Sequence, residues 1–192
     1  MAELIFVLGG ARSGKSAFAR RLAAAGPAPV VFLATITPGD EESRRRVVRH
    51  RRERPPDRET LEESIDVVEA IGRATASDAA GTVLLDCLSV WVSNLLLRLL
   101  GESPSPDEAD AAEEQVLRSV DSLLAQHRVA AARLVIVSNE VGAGVVPPYP
   151  LGRVFRDILG LANQRVAAQA DRVYFVVAGI PNEIKGPGPV GS

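Results

Sequence analysis

Short, nearly continuous apolar runs recur along the chain, and longer polar or amphipathic stretches separate them. These runs are rich in branched aliphatic residues, a pattern typical of strands that are covered on both faces of a sheet. We predict five strands: Leu4–Leu8, Val30–Ala34, Val83–Leu88, Leu134–Ser138 and Val173–Ala178.

Helical patterns lie between the predicted strands. Thr60-Leu61-Glu62-Glu63 resembles a capping box. Ser105-Pro106-Asp107-Glu108 combines an N-cap serine, a first-turn proline and two acids that favour a helix N-terminus. The predicted helices span residues 16–25, 60–76, 105–127 and 151–170.

The alternation of strands and helices predicts an α/β fold. Parallel strands joined by right-handed crossovers give a mostly parallel sheet with helices on both faces. We expect a single catalytic domain over residues 4–185, since no repeat or linker divides them. The glycine- and proline-rich tail, residues 186–192, is expected to be disordered.

The first predicted strand leads directly into a phosphate-binding pattern. Gly-x-x-x-x-Gly-Lys-Ser/Thr is matched without a gap, and a strand before it with a helix after it is the context this motif requires. Lys15 is one of only two lysines in the chain, the other being Lys185. The predicted phosphate contacts are Gly9, Gly10, Ala11, Arg12, Ser13, Gly14, Lys15 and Ser16.

Composition narrows the possible partners. With a net charge of −2 over 192 residues, the protein has no overall electrostatic field that would attract nucleic acid or an anionic membrane. No stretch is apolar enough to span a bilayer and no leader-like segment opens the chain, so we expect a soluble cytoplasmic protein. The single cysteine, Cys87, lies in an apolar run and is interpreted as a small core residue. Cysteine and histidine together supply no zinc ligand set.

A phosphate loop of this kind works with Mg²⁺, which prefers oxygen ligands. Ser16 supplies one candidate ligand. Asp86 supplies the second, because four apolar residues deliver its carboxylate to the end of a predicted strand. Two alternatives stay open: Asp86 caps the following helix, or Glu140 at the end of another strand is the metal-binding or water-positioning acid.

A dense basic run, residues 44–54, follows the second predicted strand and contains His50. Such runs often form solvated helix faces, but this one can reach the phosphate site. Neighbouring arginines lower the pKa of a histidine, and a neutral imidazole is a nucleophile. The guanidinium groups would stabilise charge at a reacting phosphorus. His127, in contrast, lies at the end of a polar helix, where a histidine favours the helix dipole and needs no function.

Four blocks in order carry a resemblance to a known family. They are the glycine loop, the segment Arg49–Pro55, the segment Asp86–Leu96 and the segment Val137–Gly142. With Phe155-Arg156-Asp157, Asn163-Gln164-Arg165 and Val176–Pro181, the chain resembles the bifunctional adenosylcobinamide kinase/adenosylcobinamide-phosphate guanylyltransferases over about residues 4–185.

The resemblance implies two reactions and a RecA-like variety of the phosphate-loop (P-loop) NTPase fold. A γ-phosphoryl group passes from ATP or GTP to the aminopropanol hydroxyl of adenosylcobinamide. GMP from GTP, carried on a histidine that matches His50, then joins the new phosphate of adenosylcobinamide phosphate. The resemblance also implies Mg²⁺ and a homotrimer.

The family's catalytic positions fall on His50 and Lys15, and its nucleotide contacts extend beyond the glycine loop. The further contacts are Ala34, Thr35, Ile36, Arg51, Arg52, Glu53, Arg54, Glu62 and Asp86. Two other functions remain open on the residues alone: a P-loop kinase of another small hydroxyl compound, and a non-catalytic nucleotide-binding regulatory module.

Overall fold

A computed structural model of the chain describes residues 2–36, 60–76 and 81–186, which form one sheet flanked by helices. The strands are β1 (Leu4–Gly9), β2 (Val30–Ala34), β3 (Thr60–Glu62), β4 (Thr82–Asp86), β5 (Arg133–Asn139), β6 (Arg172–Val177) and β7 (Ile180–Lys185). The helices are α1 (Lys15–Ala24), α2 (Val67–Thr75), α3 (Leu88–Leu99), α4 (Pro106–Val129) and α5 (Pro150–Gln169).

The strand order is β3-β2-β4-β5-β1-β6-β7. Among the described strands, every neighbouring pair from β3 to β6 is parallel, and only β7 pairs antiparallel, with β6. The predicted α/β fold with a mostly parallel sheet is therefore confirmed. Because β1 to β6 run in the same direction, their carboxyl ends share one edge of the sheet, which we call the carboxyl edge.

Alternate residues along the strands face two hydrophobic layers. Leu4, Phe6 and Leu8 of β1 join a core built with α2, α3, α4 and α5. Ile5 and Val7 join a smaller core on the other face, where α1 supplies Ala19 and Ala23. Helices thus cover both faces of the sheet, and the burial of both layers explains why the strands read as unbroken apolar runs.

The predicted strand Val83–Leu88 is wrong at its carboxyl end. β4 ends at Asp86, and Leu88 already begins α3, a helix that the apolar pattern did not separate from the strand. Leu85 and Leu88 are both fully buried. An apolar run continues across the boundary because the strand and the start of the helix both lie in the core.

The helix predicted to start at the Thr60 capping box is also wrong at its start. Thr60–Glu62 forms β3 and pairs in parallel with β2, and α2 begins only at Val67. The Glu63 carboxylate accepts hydrogen bonds from the Ile65 and Asp66 N–H groups at 2.9 and 3.0 Å. It therefore shapes the turn between strand and helix, and long-range pairing overrides the local helix signal.

The second capping signal is confirmed, with the helix running two residues further than predicted. The Ser105 hydroxyl accepts from the Glu108 N–H at 3.3 Å, and the Glu108 carboxylate accepts from the Ser105 N–H at 2.8 Å. None of the described strands pairs with residues 105–108, and α4 follows Ser105 directly.

No apolar run predicted β7, which is a short edge strand paired with β6. A two-residue turn joins them, and Ala178 and Gly179 both have positive φ, at 51° and 81°. Positive φ at both central residues is what a type I′ turn, a common two-residue hairpin turn, requires. The Arg172 guanidinium then binds the Glu183 carboxylate through two hydrogen bonds of 2.7 and 3.0 Å.

His127 is buried in the last turn of α4, with 6% of its surface exposed. Burial lowers its pKa, against the opposing effects of a hydrogen bond with the Ala2 backbone and the charge of Asp171. The sequence-based interpretation, a histidine that favours the helix dipole, is thus incomplete, because burial favours the neutral form.

A pH dependence of stability follows from this burial. The folded-state pKa of His127 lies below the unfolded value of about 6.5, so the neutral ring stabilises the fold above that pH. Stability falls as the pH drops below the unfolded pKa and towards the folded one, since the unfolded chain binds the extra proton. Urea unfolding between pH 7.5 and 5.5 should show a weaker pH slope for His127→Gln than for the wild type. Identical slopes would contradict this account.

No helix in the described ranges has both the length and the apolar character needed to cross a membrane.

Candidate active site

The glycine loop lies at the carboxyl edge, between the end of β1 and the start of α1. Gly14 caps α1 with φ at 92°, a left-handed conformation that favours glycine, and no side chain caps the helix. The first turn of α1 carries no acidic residue. The free N–H groups of this helix end therefore face outwards as a site for an anion.

The β6–β7 turn supports the loop from behind. The Gly179 N–H donates to the Ser13 carbonyl at 2.8 Å. A Cβ atom added to Gly14 would lie 3.1 Å from the Gly179 Cα atom. Sequence reasoning missed this support, although the Ala-Gly pair after a strand is a turn signal that could have revealed it.

A methyl group at Gly14 should therefore disturb the loop. Gly14→Ala forces a left-handed backbone on alanine, at a cost of about 1–2 kcal/mol, and presses on Gly179. We expect the loop to relax away from its phosphate-binding geometry and the nucleotide affinity to fall about tenfold, because restoring that geometry on binding costs the same free energy. Gly160→Ala in α5 is the matched control, since no atom of the described residues lies within 4 Å of its added Cβ. Titration with a fluorescent GTP analogue measures both variants, and equal affinities would contradict the argument.

Lys15 begins α1 and is partly buried beneath the loop. Its Nζ atom donates to the Gly10 carbonyl at 3.0 Å, which holds the ammonium inside the loop. Burial lowers the pKa of Lys15, while Cys87 and Asp86 raise it. Because burial raises the pKa of the Cys87 thiol to about 11, that thiol is neutral at pH 7. Asp86 is then the anion whose charge acts on the ammonium.

Asp86 ends β4 at the carboxyl edge, and its electrostatic interaction with Lys15 places it beside the loop. The described residues hold no cluster of three or more His, Cys, Asp or Glu side chains suited to a metal ion. A carboxylate and the Ser16 hydroxyl nevertheless fit Mg²⁺, which takes few protein ligands and completes its shell with phosphate oxygens and water. The donor chemistry is compatible with the predicted metal, although no ligand geometry follows from it.

Thr35 fixes the end of β2 to the end of β4. Its hydroxyl donates to the Cys87 carbonyl and accepts from the Cys87 N–H, both at 2.9 Å. Asn94 of α3 donates to the Thr35 and Ser64 carbonyls at 2.9 and 3.0 Å. Sequence reasoning did not single out Asn94, although a lone amide in an otherwise apolar helix is a usable signal. The predicted contacts at Ala34, Thr35 and Ile36 therefore belong to a rigid part of the edge.

Glu140 follows β5 and contacts the loop strand through its backbone, because its N–H donates to the Gly9 carbonyl at 3.1 Å. Its carboxylate accepts from the Gly142 N–H at 2.5 Å and so turns back over its own loop. Asp86 and Glu140 are both candidates for the acidic role, and the charge of Asp86 raises the pKa of Lys15.

An amide network lies beneath this part of the edge. Asn163 of α5 donates to the Asn139 carbonyl at 3.1 Å, and Asn139 donates to the Ser89 hydroxyl at 2.8 Å. The Cys87 sulfur lies 3.1 Å from that hydroxyl. The network joins the ends of β4 and β5 and was not predicted, since its members are far apart in sequence.

The predicted site residues that the structure describes lie along the carboxyl edge, and Glu62 is the farthest from the glycine loop. Glu62 pairs with Ala34, which pairs with Asp86, so the three lie level on neighbouring strands. β3 is four strands from β1, or about 19 Å at the usual strand spacing. Glu62 is therefore too distant to touch phosphates held in the glycine loop. His50 and Arg51, Arg52, Glu53 and Arg54 lie outside the described residues.

A groove of about 800 Å³ lies between α2, α3 and α4, lined among others by Trp91, Arg98 and Gln126. It follows the helical layer over one face of the sheet and does not include the glycine loop. The loop at the carboxyl edge is therefore the candidate site, and the groove is not.

Comparison with known proteins gives a consistent result. Residues 5–184 match the family model of cobinamide kinase / cobinamide phosphate guanyltransferase. The bifunctional adenosylcobalamin biosynthesis protein CobU of Salmonella typhimurium is 42% identical over 185 residues, covering 95% of this chain and 99% of the relative. CobP of Pseudomonas aeruginosa, with the same bifunctional description, is 39% identical over 94% of this chain and 96% of its own length. CobU of Escherichia coli is 40% identical over 95% and 99%.

A solved structure supports the fold alone. An ATPase from the type III secretion system of pathogenic bacteria superposes with a TM-score of 0.59 at 14% identity. The superposition covers 90% of this chain and 50% of the ATPase chain. The predicted P-loop NTPase fold class is confirmed by this similarity.

Proposed function

Since the chain belongs to the cobinamide kinase / cobinamide phosphate guanyltransferase family, we propose that it catalyses two successive transfers to one corrinoid acceptor. It is an enzyme of cobalamin biosynthesis, a kinase and a guanylyltransferase. The observation that carries the proposal is the braced glycine loop, with Lys15 held inside it, in a chain that matches the family over residues 5–184.

In the first transfer, the aminopropanol hydroxyl of adenosylcobinamide attacks the γ-phosphorus of ATP or GTP. The bond to the β-phosphate oxygen breaks, and a nucleoside diphosphate leaves. The N–H groups of the loop and of the α1 N-terminus hold the phosphates, and the Lys15 ammonium neutralises charge on the β- and γ-phosphates. Mg²⁺ held by Ser16 and Asp86 would neutralise the same oxygens.

In the second transfer, GMP passes through His50. The neutral imidazole attacks the α-phosphorus of GTP, a nitrogen–phosphorus bond forms, and pyrophosphate leaves. The phosphate of adenosylcobinamide phosphate then attacks that phosphorus and frees the imidazole, giving adenosyl-GDP-cobinamide. The arginines at 51, 52 and 54 suit the charge that develops there.

The position of the other histidine supports this choice. His127 is buried at the end of α4, and the chain enters β5 soon after it. Because β5 runs parallel to β1, its amino end lies at the edge of the sheet opposite the glycine loop. The location of His127 therefore favours His50, the only other histidine of the sequence, as the proposed nucleophile.

The remaining predicted contacts suit the nucleoside rather than the phosphates. Ala34 ends β2 and Thr35 and Ile36 follow it, and Glu62 ends β3, one strand further from the glycine loop. A carboxylate at that distance can accept hydrogen bonds from a ribose or a guanine edge, whereas it would repel phosphate. Glu53 is proposed for the same nucleotide because it belongs to the His50 segment.

We further propose a homotrimer and a cytoplasmic location. The trimer rests on the family resemblance, and sedimentation equilibrium tests it through the mass of the particle. The location rests on the supply of ATP and GTP, the phosphoryl and guanylyl donors of both reactions.

Two labels test the proposed function in one experiment. The protein is incubated with Mg²⁺, cobinamide and GTP labelled at either the γ- or the α-phosphorus. The γ-label should appear first in cobinamide phosphate, and both labels should then appear in GDP-cobinamide. Transfer of neither label to cobinamide would overturn the proposal, and transfer of the γ-label to another hydroxyl compound alone would favour a different kinase.

A further inference from the structure

One loop at the carboxyl edge exposes large apolar side chains. The loop, residues 141–149, joins β5 to α5. Val145 is 95% exposed, Val146 58% and Tyr149 61%. Exposing three large apolar side chains within five residues to water is unfavourable, and exposed apolar surfaces of this kind often mark binding sites.

This exposure does not result from a loose loop, because hydrogen bonds hold it on both sides. Arg153 of α5 donates to the Pro147 and Pro148 carbonyls at 3.2 and 2.9 Å. Arg156 donates to the Gly142 carbonyl at 2.8 Å. These hydrogen bonds restrain the backbone on both sides of Val145 and Val146 before any ligand arrives, which lowers the entropic cost of binding.

The Tyr149 ring packs closely against Gly152. A Cβ atom added to Gly152 would lie 2.5 Å from a Tyr149 ring carbon. The absence of a side chain at Gly152 therefore lets the ring pack against the start of α5. The rest of the ring remains open to solvent and offers a flat apolar surface.

The position of the loop connects it with the reaction. Glu140, the residue before the loop, contacts the phosphate-binding strand, since its N–H donates to the Gly9 carbonyl at 3.1 Å. Residues 141–150 contain no charged side chain. Apart from the two arginines that bind its backbone, the surface is uncharged and apolar, and it lies beside a loop that suits polyanions. It therefore suits a large uncharged group attached to the phosphoryl acceptor.

We propose that Val145, Val146 and Tyr149 form the docking surface for the corrin macrocycle of the acceptor. This inference rests on the proposed function. The reacting hydroxyl lies on a short arm, so the macrocycle must sit beside the glycine loop while the arm enters it. The methyl groups and neutral amides at the edge of the corrin ring match an apolar surface without charges.

The double variant Val145→Ser/Val146→Ser tests the surface. Cobinamide binding is measured by equilibrium dialysis in the presence of a non-hydrolysable GTP analogue. We expect about tenfold weaker binding, because serine loses most of the apolar area that the ring would cover. The KM for cobinamide should rise by about the same factor, with kcat and the affinity for nucleotide unchanged.

Val129→Ser is the matched control. Val129 is 81% exposed but ends α4, at the edge opposite the glycine loop. Its variant should bind cobinamide as the wild type does, which would exclude a general effect of losing exposed valine.

The possible results separate two failures. If the wild type neither binds nor phosphorylates cobinamide, the proposed function fails and the docking surface with it. If the wild type does both and the double variant does so equally well, only the docking surface is wrong. A double variant with a changed mass in sedimentation would make the loop a contact between subunits and would also overturn the inference.

Discussion

Lys15→Ala will slow phosphorylation of cobinamide by about 10²- to 10³-fold, the loss expected when a preorganised charge is removed from a transition state. The Lys15 ammonium is fixed by the Gly10 carbonyl and has already lost part of its hydration through burial. It therefore needs little reorganisation to neutralise the leaving phosphate. Steady-state assays with labelled ATP or GTP measure the loss.

Lys185→Ala is the control, because the chain has no third lysine. The Lys185 Nζ atom donates to the Ala167 and Ala168 carbonyls, at 3.0 and 2.9 Å, near the end of α5. Its loss should lower stability by about 1 kcal/mol without changing the kinase rate. A Lys15→Ala protein with full kinase rate would show that the glycine loop is not the catalytic phosphate site.

His50→Ala will abolish GMP transfer and leave phosphorylation of cobinamide in place. Removing a covalent nucleophile closes its route to product, and losses on the order of 10⁴-fold or more are typical. Because the proposed mechanism uses the imidazole only for GMP transfer, the variant should accumulate cobinamide phosphate. Product analysis by liquid chromatography distinguishes the two steps in one incubation.

His127→Gln is the matched control for this prediction, since it removes the other histidine. It should keep both transfers, because His127 is buried at the end of α4, at the edge opposite the glycine loop. GMP transfer that survives in His50→Ala but is lost in His127→Gln would reverse the assignment.

The sequence predicted an element correctly where its local pattern and its place in the sheet favour the same structure. Val30–Ala34 is a strand in the prediction and in the structure, because a strand buried on both faces consists of apolar residues. Ser105 and Thr60 head similar capping patterns, yet only Ser105 begins a helix. The difference is tertiary, since residues 60–62 gain a pairing with β2 that no local signal contains.

The candidate site was predictable to the extent that its residues are contiguous. The glycine loop is a single segment whose strand and helix can be recognised locally. The hydrogen bond from Asn94 to the Thr35 carbonyl, by contrast, joins residues 59 apart. The support of Gly14 by Gly179 likewise depends on how β6 lies beside β1. Such contacts arise from topology, which is why composition and periodicity did not predict them.

The most direct test of the account is the site of covalent labelling by GTP. The protein is incubated with α-labelled GTP and Mg²⁺ in the absence of cobinamide, then digested under alkaline conditions and mapped by mass spectrometry. We expect one GMP per labelled chain, stable to base and labile to acid, on the peptide that contains His50. GMP on another residue, or no covalent GMP while GDP-cobinamide still forms, would contradict the account.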